Sequence, residues 1–286
     1  MVKRILLDAD ILQYEIAFAA EAYWKHLFKE KELEPSTDPP PFDICIAMVD
    51  ERISNIVSGA EGEGEPFLFF TGSQNYRNRI AVTQPYKDRD SDKPFHYKNI
   101  KAYLQSRYQW QQVEGLEADD LIGIAMTKNP DKYTCATRDK DLRQISGFHY
   151  GWELGNQPAF GPRHIDQFGW IELSSKRDKI VGGGDKFLYS QILTGDSVDT
   201  IPGIPKYGAV KAFKTLEACT TLAECEEAVL EAYRGFYGDG GRARMLETAR
   251  LVYLTRVMDN DKVLLWNFLG EPEQWMDIKT GVISTL

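Results

Sequence analysis

A chain of 286 residues with 43% apolar and 12% aromatic content can bury a sizeable core, which excludes the disordered and low-complexity classes. The formal charge of −9 argues at first against a nucleic-acid binder, since such proteins often carry a basic excess. Cys45, Cys135, Cys219 and Cys225 lack zinc-type pairing and read as buried thiols of a reducing cytosol. The Lys3-Arg4 start is followed by only three apolar residues before Asp8, too few for a signal peptide, and no run is long enough to cross a membrane. The expected location is the cytoplasm.

In chain order, Arg4-Ile-Leu-Leu-Asp8 reads as a short buried strand ending in an acid. A helix is expected from about Ile11 to Phe28, with Asp10 as N-cap. After the breaker-rich segment Glu34 to Pro41, the pattern from Phe42 to about Val57 is helical, and Pro66-Phe-Leu-Phe-Phe70 reads as a second buried strand. Trp110–Val113, Tyr133–Thr137 and Phe148–Trp152 are the next expected strands. Past Gly182-Gly-Gly184 the pattern is helical to near the end: Lys186–Leu193, Ala209–Leu216, about Leu222 to Tyr233, and Arg242 to Met258. Strands alternating with helices predict an α/β fold, a mainly parallel twisted sheet flanked by helices, with a C-terminal helical subdomain. The expected division is 1–180 and 181–286.

The stretch Gly115-Leu-Glu-Ala-Asp-Asp-Leu-Ile-Gly123 sets three acids where a turn runs into an apolar helix. A helix N-terminus favours one or two acids through its free N–H groups and dipole. Three point to a cation. Ligands of parallel sheets bind beyond the carboxyl ends of strands, and Asp8, Asp139 and Asp141 fall there alongside Glu117, Asp119 and Asp120. Asp196 and Asp199 complete an eight-acid set. Two like charges ~4 Å apart repel by about 4 kcal/mol at an effective dielectric near 20, which hard divalent cations relieve. With no His or Cys in the set, Mg²⁺ or Mn²⁺ is favoured over zinc. A pair of ions ~3.5–4 Å apart can activate water and stabilise the leaving oxygen of a phosphodiester. Setting the eight aside leaves 35 acids against 34 basic residues, so the acidity of the chain is essentially that of this set.

Two further stretches suit a phosphate backbone. From Tyr76 to Arg107, eight basic residues interleave with aromatics against three acids, a composition suited to tracking a single strand. Between two helices, Ile201-Pro-Gly-Ile-Pro-Lys-Tyr-Gly208 is a glycine-containing turn that can set N–H groups against phosphate, with Lys206 and Lys211 adding charge.

The motifs Leu6-Leu-Asp8, Tyr76-Arg77, Tyr86-Lys87, Glu117-Ala-Asp-Asp120, Arg138-Asp-Lys-Asp141 and Gly195-Asp-Ser-Val-Asp199 resemble, in order and spacing, those of the 5′ nucleases. These are the bacteriophage flap endonucleases and 5′→3′ exonucleases, with the 5′-nuclease domain of bacterial DNA polymerase I. The resemblance covers residue 4 to about 216, and the tail Ala249–Leu254 with Val263–Trp266 is most similar to the phage exonucleases. It implies a PIN/5′-nuclease-like fold and a two-metal phosphodiesterase acting on DNA with a free 5′ end: a duplex end, flap or RNA–DNA primer junction. The eight acids match metal carboxylates, for two Mg²⁺ or Mn²⁺ ions. Lys87, helped by Arg77, matches the group that polarises the scissile phosphate. Tyr76, Tyr86 and Arg89 are implied DNA contacts, and the stretch from about 76 to 107 an arch or clamp. Residues 186–216 correspond to a helix–hairpin–helix motif in which Gly203, Lys206, Tyr207, Gly208 and Lys211 grip the duplex, with a K⁺ ion held at the hairpin in some members. A monomer acting in replication, repair or phage genome metabolism is implied, in the host cytoplasm for a phage protein. Three positions depart from the pattern: Gly72 stands where relatives place an acid, Arg89 follows Lys87 one residue early, and Lys206 replaces a glycine. A non-catalytic DNA-binding relative and an RNase of the same superfamily are the alternatives.

Overall fold

The computed structural model describes residues 3–31, 38–87 and 92–285. The first part of the chain comprises β1 (Arg4–Asp8), α1 (Ala9–Glu30), α2 (Phe42–Gly59), β2 (Phe67–Thr71), a 3₁₀ turn at Tyr76–Arg79, α3 (Tyr97–Arg107), β3 (Gln109–Val113), α4 (Ala118–Lys128), β4 (Tyr133–Ala136), β5 (Gly147–Gly151) and β6 (Phe160–Ile165). The six strands form one mixed sheet in the order β3-β2-β1-β4-β5-β6. Every neighbouring pair is parallel except β5–β6.

Alternation along the strands assigns the two faces. Ile5, Leu7, Leu68, Phe70 and Ala136 join the apolar cluster beneath α1, α2 and α3. Leu6, Phe69 and Cys135 join the other, which extends through α4 into the C-terminal helices. With helices on both faces, the central strands are apolar throughout rather than alternating. The chain builds outward from β1 to β3, then returns to β4 on the other side of β1. The carboxyl ends of β1 and β4 therefore flank a switch point, where such sheets form their crevice.

The second part contains β7 (Trp170–Leu173), β8 (Ile180–Gly183), α5 (Gly184–Thr194), β9 (Gly195–Asp196), β10 (Ile201–Pro202), α6 (Ala209–Leu216), α7 (Leu222–Tyr237) and α8 (Gly241–Val252). β9 and β10 make a small antiparallel pair within the α5–α6 connection. The chain ends in β11 (Met258–Asp259), β12 (Lys262–Leu264), β13 (Gln274–Asp277) and β14 (Ile283–Thr285), a four-stranded antiparallel sheet.

Three expectations are corrected. α1 starts at Ala9, capped by Asp8, whose carboxylate accepts the Asp10 N–H at 3.2 Å; the Asp10 carboxylate instead takes the Thr71 N–H at 2.8 Å. α8 stops at Val252, not Met258, because the backbone beyond it is bonded to groups outside the helix: Arg77 takes the Tyr253 carbonyl and Asp120 the Thr255 N–H. An Asn260-Asp261 turn between β11 and β12 then opens the terminal sheet, with Asn260 at φ +52°. The basic stretch from 76 to 107 is no single open arch either, since α3 buries Ile100 and Leu104 completely in the apolar cluster of α1 and α2.

Candidate metal centre

Five segments deliver carboxylates to the switch-point edge: the end of β1, the start of α4, the loop after β4, the turn after α5, and the first turn of α1. Asp8 is buried, accepting hydrogen bonds from the Asp10 N–H and, at 3.1 Å, from the Thr137 hydroxyl. That hydroxyl also accepts the Asp139 N–H at 3.0 Å, so Thr137 ties the end of β1 to the loop after β4. Asp139 in turn accepts the Asp141 N–H at 2.8 Å. Burial, then the negative charges of Asp10 and Asp139, push the Asp8 carboxyl up to about 7. Burial, then Asp141, push Asp139 up to about 7 as well. Asp119 is raised well above the usual carboxylate range by burial and by Glu117 and Asp120. Among the described residues, Asp8, Asp119 and Asp139 form no ion pair.

The other acids have cations of their own. Arg77 is 1% exposed and lays its guanidinium fork on Asp120 at 2.7 and 2.8 Å, a further N–H reaching Glu117 at 3.2 Å. The Leu251 and Tyr253 carbonyls take its remaining N–H groups at 3.1 and 2.8 Å. Lys87 binds Glu117 and also Asp199 at 3.3 Å. Its backbone, at φ +51°, donates to the Asp199 carbonyl at 3.0 Å, which holds an otherwise unfavourable conformation in place. Burial disfavours the Lys87 charge, but Glu117, Asp119 and Asp199 outweigh it and raise its pKa above the ordinary lysine value. Glu117, despite its burial, is held below the usual range by Lys87 and Arg77. Lys140 spans Asp141 at 2.8 Å and Asp196 at 3.0 Å.

Carboxylate oxygens of Glu117, Asp119 and Asp120 lie within 4.8 Å of one another, a spacing that fits a cation. Both oxygens of Asp120 are occupied by Arg77, and those of Glu117 by Lys87, Arg77 and Tyr86, so the free ligand atoms there come chiefly from Asp119. An all-oxygen donor set with three uncompensated acids fits a hard divalent ion. The cleft beside it, about 650 Å³, is lined by Asp10, Tyr14, Lys87, Lys93, Tyr97 and Lys101, among others.

No family model matches the chain. Among curated proteins, a 5′-3′ exonuclease of Streptomyces coelicolor is 27% identical over 138 residues, 48% of this chain and 42% of that protein. DNA polymerase I of Bacillus subtilis is 24% identical over 232 residues, 80% of this chain and 25% of that protein. The matches thus span less than half the length of either curated relative. The solved bacteriophage T5 flap endonuclease, in complex with DNA and metal ions, shares the fold at a TM-score of 0.59 and 12% identity, over 88% of this chain and 89% of that one. The chain is similar in sequence to the two curated proteins and shares the fold of the flap endonuclease.

On this 5′-nuclease fold, the metal acids of the sequence reading converge from separate segments, and Lys87 stands among them. Several other assignments change. Arg77 cannot reach a phosphate from its buried place and instead anchors Asp120. Tyr76, 1% exposed, shares a hydrogen bond with Thr255 at 3.1 Å and offers no face to DNA. Tyr86 is also buried; its hydroxyl donates to Glu117 at 2.7 Å, so it orients that acid rather than stacking on a base. Tyr207 packs inward with its hydroxyl 2.6 Å from Thr215, whereas Lys206 and Gly208 are exposed, as is Lys211, whose ammonium lies 4.2 Å from the Tyr207 ring centre. Lys206 stands at φ +62°, the left-handed backbone that a glycine adopts readily. At Gly203 any Cβ would collide with the backbone of Thr194 and Gly195, so glycine closes that turn. Arg89 lies outside the described residues.

Gly72 is fixed by close backbone approach. A Cβ there would run into the Val113 carbonyl oxygen and stand 2.8 Å from its carbon and 2.9 Å from Glu114 Cα. No acid fits on this backbone. Asp10, expected only as a cap, enters the same cleft, as do Thr137 and Lys140 the carboxylate network. The signal available for Asp10 was the Asp8-Ala-Asp10 spacing at a strand end.

Proposed function

We propose that the protein is a divalent-metal-dependent 5′ nuclease that hydrolyses phosphodiester bonds at or near the 5′ ends of DNA. The observation that carries this reading is the gathering of Asp8, Asp119 and Asp139 without cations beside Lys87, at the switch point of a 5′-nuclease fold. Mg²⁺ or Mn²⁺ in two places would supply charge neutralisation and an activated water. Asp8, Glu117, Asp119 and Asp139 would hold one ion; Asp141, Asp196 and Asp199 would contribute to the second. Lys87, already drawn into the cleft by Glu117 and Asp199, would bind the scissile phosphate and offset its developing charge. Arg77 and Asp120 lock the start of α4, and Tyr86 orients Glu117.

The α5–α6 connection is read as a helix–hairpin–helix grip on duplex backbone. Its exposed Gly208 caps α6, and Lys206 and Lys211 present charge beside that helix N-terminus. Carbonyls of this turn are the place to seek a K⁺ ion. The chain is read as a monomer of two packed parts, 1–180 carrying the metal centre and 181–286 the duplex grip.

A 5′-labelled flap, a blunt duplex and an all-RNA flap, each incubated with protein and Mg²⁺, test the reading. Short labelled products from the DNA substrates are expected. DNA bound but uncut with Mg²⁺ and Mn²⁺ alike would leave a binding protein only, and cleavage confined to RNA would make it an RNase.

A further inference from the structure

Lys140 lies between two site acids in sequence, Asp139 and Asp141, yet it does not simply extend into solvent. Its ammonium donates to Asp141 Oδ1 at 2.8 Å and to Asp196 Oδ2 at 3.0 Å, joining the loop after β4 to the turn after α5. Both acids are held in place by other donors. Asp141 Oδ1 also accepts from Gln191 Nε2 at 2.6 Å, and Asp196 Oδ1 accepts the Val198 and Asp199 N–H groups at 2.7 and 3.3 Å. The two carboxylates are therefore a prepared seat for a positive charge, and the chain has filled it with its own. Lys140, its side chain half exposed, feels both partners: partial burial opposes its charge, but Asp141 and Asp196 raise its pKa above the ordinary lysine value.

We propose that Lys140 is a built-in cation at the outer ion position, so that a divalent ion binds between Asp141 and Asp196 only by displacing it. The inference rests on the metal-dependent reading above and concerns how the ions load. An ion entering with the ammonium still in place would face a like charge at contact range. One entering with Lys140 swung out gains two anchored carboxylates but breaks two charge-assisted hydrogen bonds. Either route makes the outer ion weaker than the inner one, where Glu117 is shared with Lys87 and Arg77 but Asp8, Asp119 and Asp139 form no ion pair among the described residues. Lys140 is thus a positioning residue that sets the order of loading: inner first, outer on exchange.

Calorimetric titration of the full chain with Mn²⁺, without DNA, tests this. The wild type should show a tight binding event and a weaker one. Lys140→Met keeps the length of the stem and removes the charge; it should tighten the weaker event by about tenfold or more and leave the tight one unchanged, while Lys140→Arg restores weak outer binding. Lys140→Gln serves where the Met variant does not fold. An unchanged or weakened outer event in the neutral variants would overturn the proposal, as would a loss of DNA affinity with ion binding intact, which would make Lys140 a phosphate contact. No Mn²⁺ binding by the wild type would instead overturn the metal reading itself.

Discussion

Asp8, Asp119 and Asp139, the inner acids, and Asp141, Asp196 and Asp199, the outer acids, are the same chemical group at one sheet edge, differently paired. The inner three have no ion pair among the described residues, and burial pushes all of them upward. The outer three are spanned by Lys140 and Lys87, and Asp196, although partly buried, is held below the usual range by Lys140. The end of β1, the start of α4 and the loop after β4 deliver the inner acids; that same loop and the turn after α5, each reached by a lysine, deliver the outer ones. The difference separates what a fold can balance by itself from what it leaves for a ligand. An uncompensated buried acid weakens the free protein, and an ion that binds only the folded state recovers that loss.

The largest effects should come from splitting the acidic helix start, where Asp119 and Asp120 are adjacent but differently paired. Asp119→Asn should cut the cleavage rate on the order of 10³-fold, because it removes an ion ligand. It should leave the metal-free protein as stable as before, since no partner is orphaned. Asp120→Asn should act on the fold, leaving the buried Arg77 guanidinium without its bidentate carboxylate and with only Glu117 at 3.2 Å, at a cost of about 3 kcal/mol. Unfolding in urea with EDTA, beside cleavage rates for each variant, makes the distinction. Equal stability of the two variants would mean that both acids serve the ion and that Arg77 anchors nothing.

That pair also shows what the sequence could and could not say. Acids at the ends of apolar strands were legible, because strand order and crossover rules bring such ends together whatever the details of packing. The Glu117-Ala-Asp-Asp120 motif gave no sign that its last acid belongs to an arginine forty-three residues earlier, as the Arg77–Asp120 bond shows. Basic and aromatic composition around Tyr76, Arg77 and Tyr86 pointed to a DNA surface, but composition carries no burial, and these side chains face inward. The terminal sheet was illegible for a related reason. Its strands are two to four residues long, too short to show a period, and α8 is ended by bonds to Arg77 and Asp120 rather than by any local breaker.

Gly72 gives a smaller effect of opposite intent, an attempt to add an inner acid. Gly72→Asp should not complete the centre. Its Cβ would meet the Val113 carbonyl, so a destabilisation of about 1–3 kcal/mol is expected, the usual range for overpacking. Gly72→Ala should cost a similar amount, which would tie the effect to the Cβ and not to the charge. Thermal melts with and without Mg²⁺ provide the check. A Gly72→Asp protein of native stability that binds Mn²⁺ more tightly would show that the end of β2 has room for a ligand, and that Asp10 is no substitute for one.

The smallest effect is a pH trend led by the inner acids Asp8 and Asp139, with Asp199 and Glu226 raised by burial in the same direction. Asp8 and Asp139 are pushed up to about 7 in the fold, against 3.8 when unperturbed. For an acid raised in this way, the folded state binds more protons than the unfolded one. The stability it contributes is complete below the unfolded value and is lost as pH rises through about 7. In EDTA, these acids should therefore lower the melting temperature as pH rises toward about 7 and level off above it, with Asp8→Asn and Asp139→Asn each flattening the slope. Mg²⁺ binds the ionised carboxylates, so the rise in melting temperature that it causes should grow over the same window. His149, buried and pushed down to about 4, pulls the other way, but it does so chiefly below its ordinary value of 6.5. From 6.5 to about 7 the trend thus belongs to the carboxylates. A slope in EDTA that survives both substitutions would place its source outside Asp8 and Asp139, and the contrast of these two with the outer groups would then rest on their ion pairs alone.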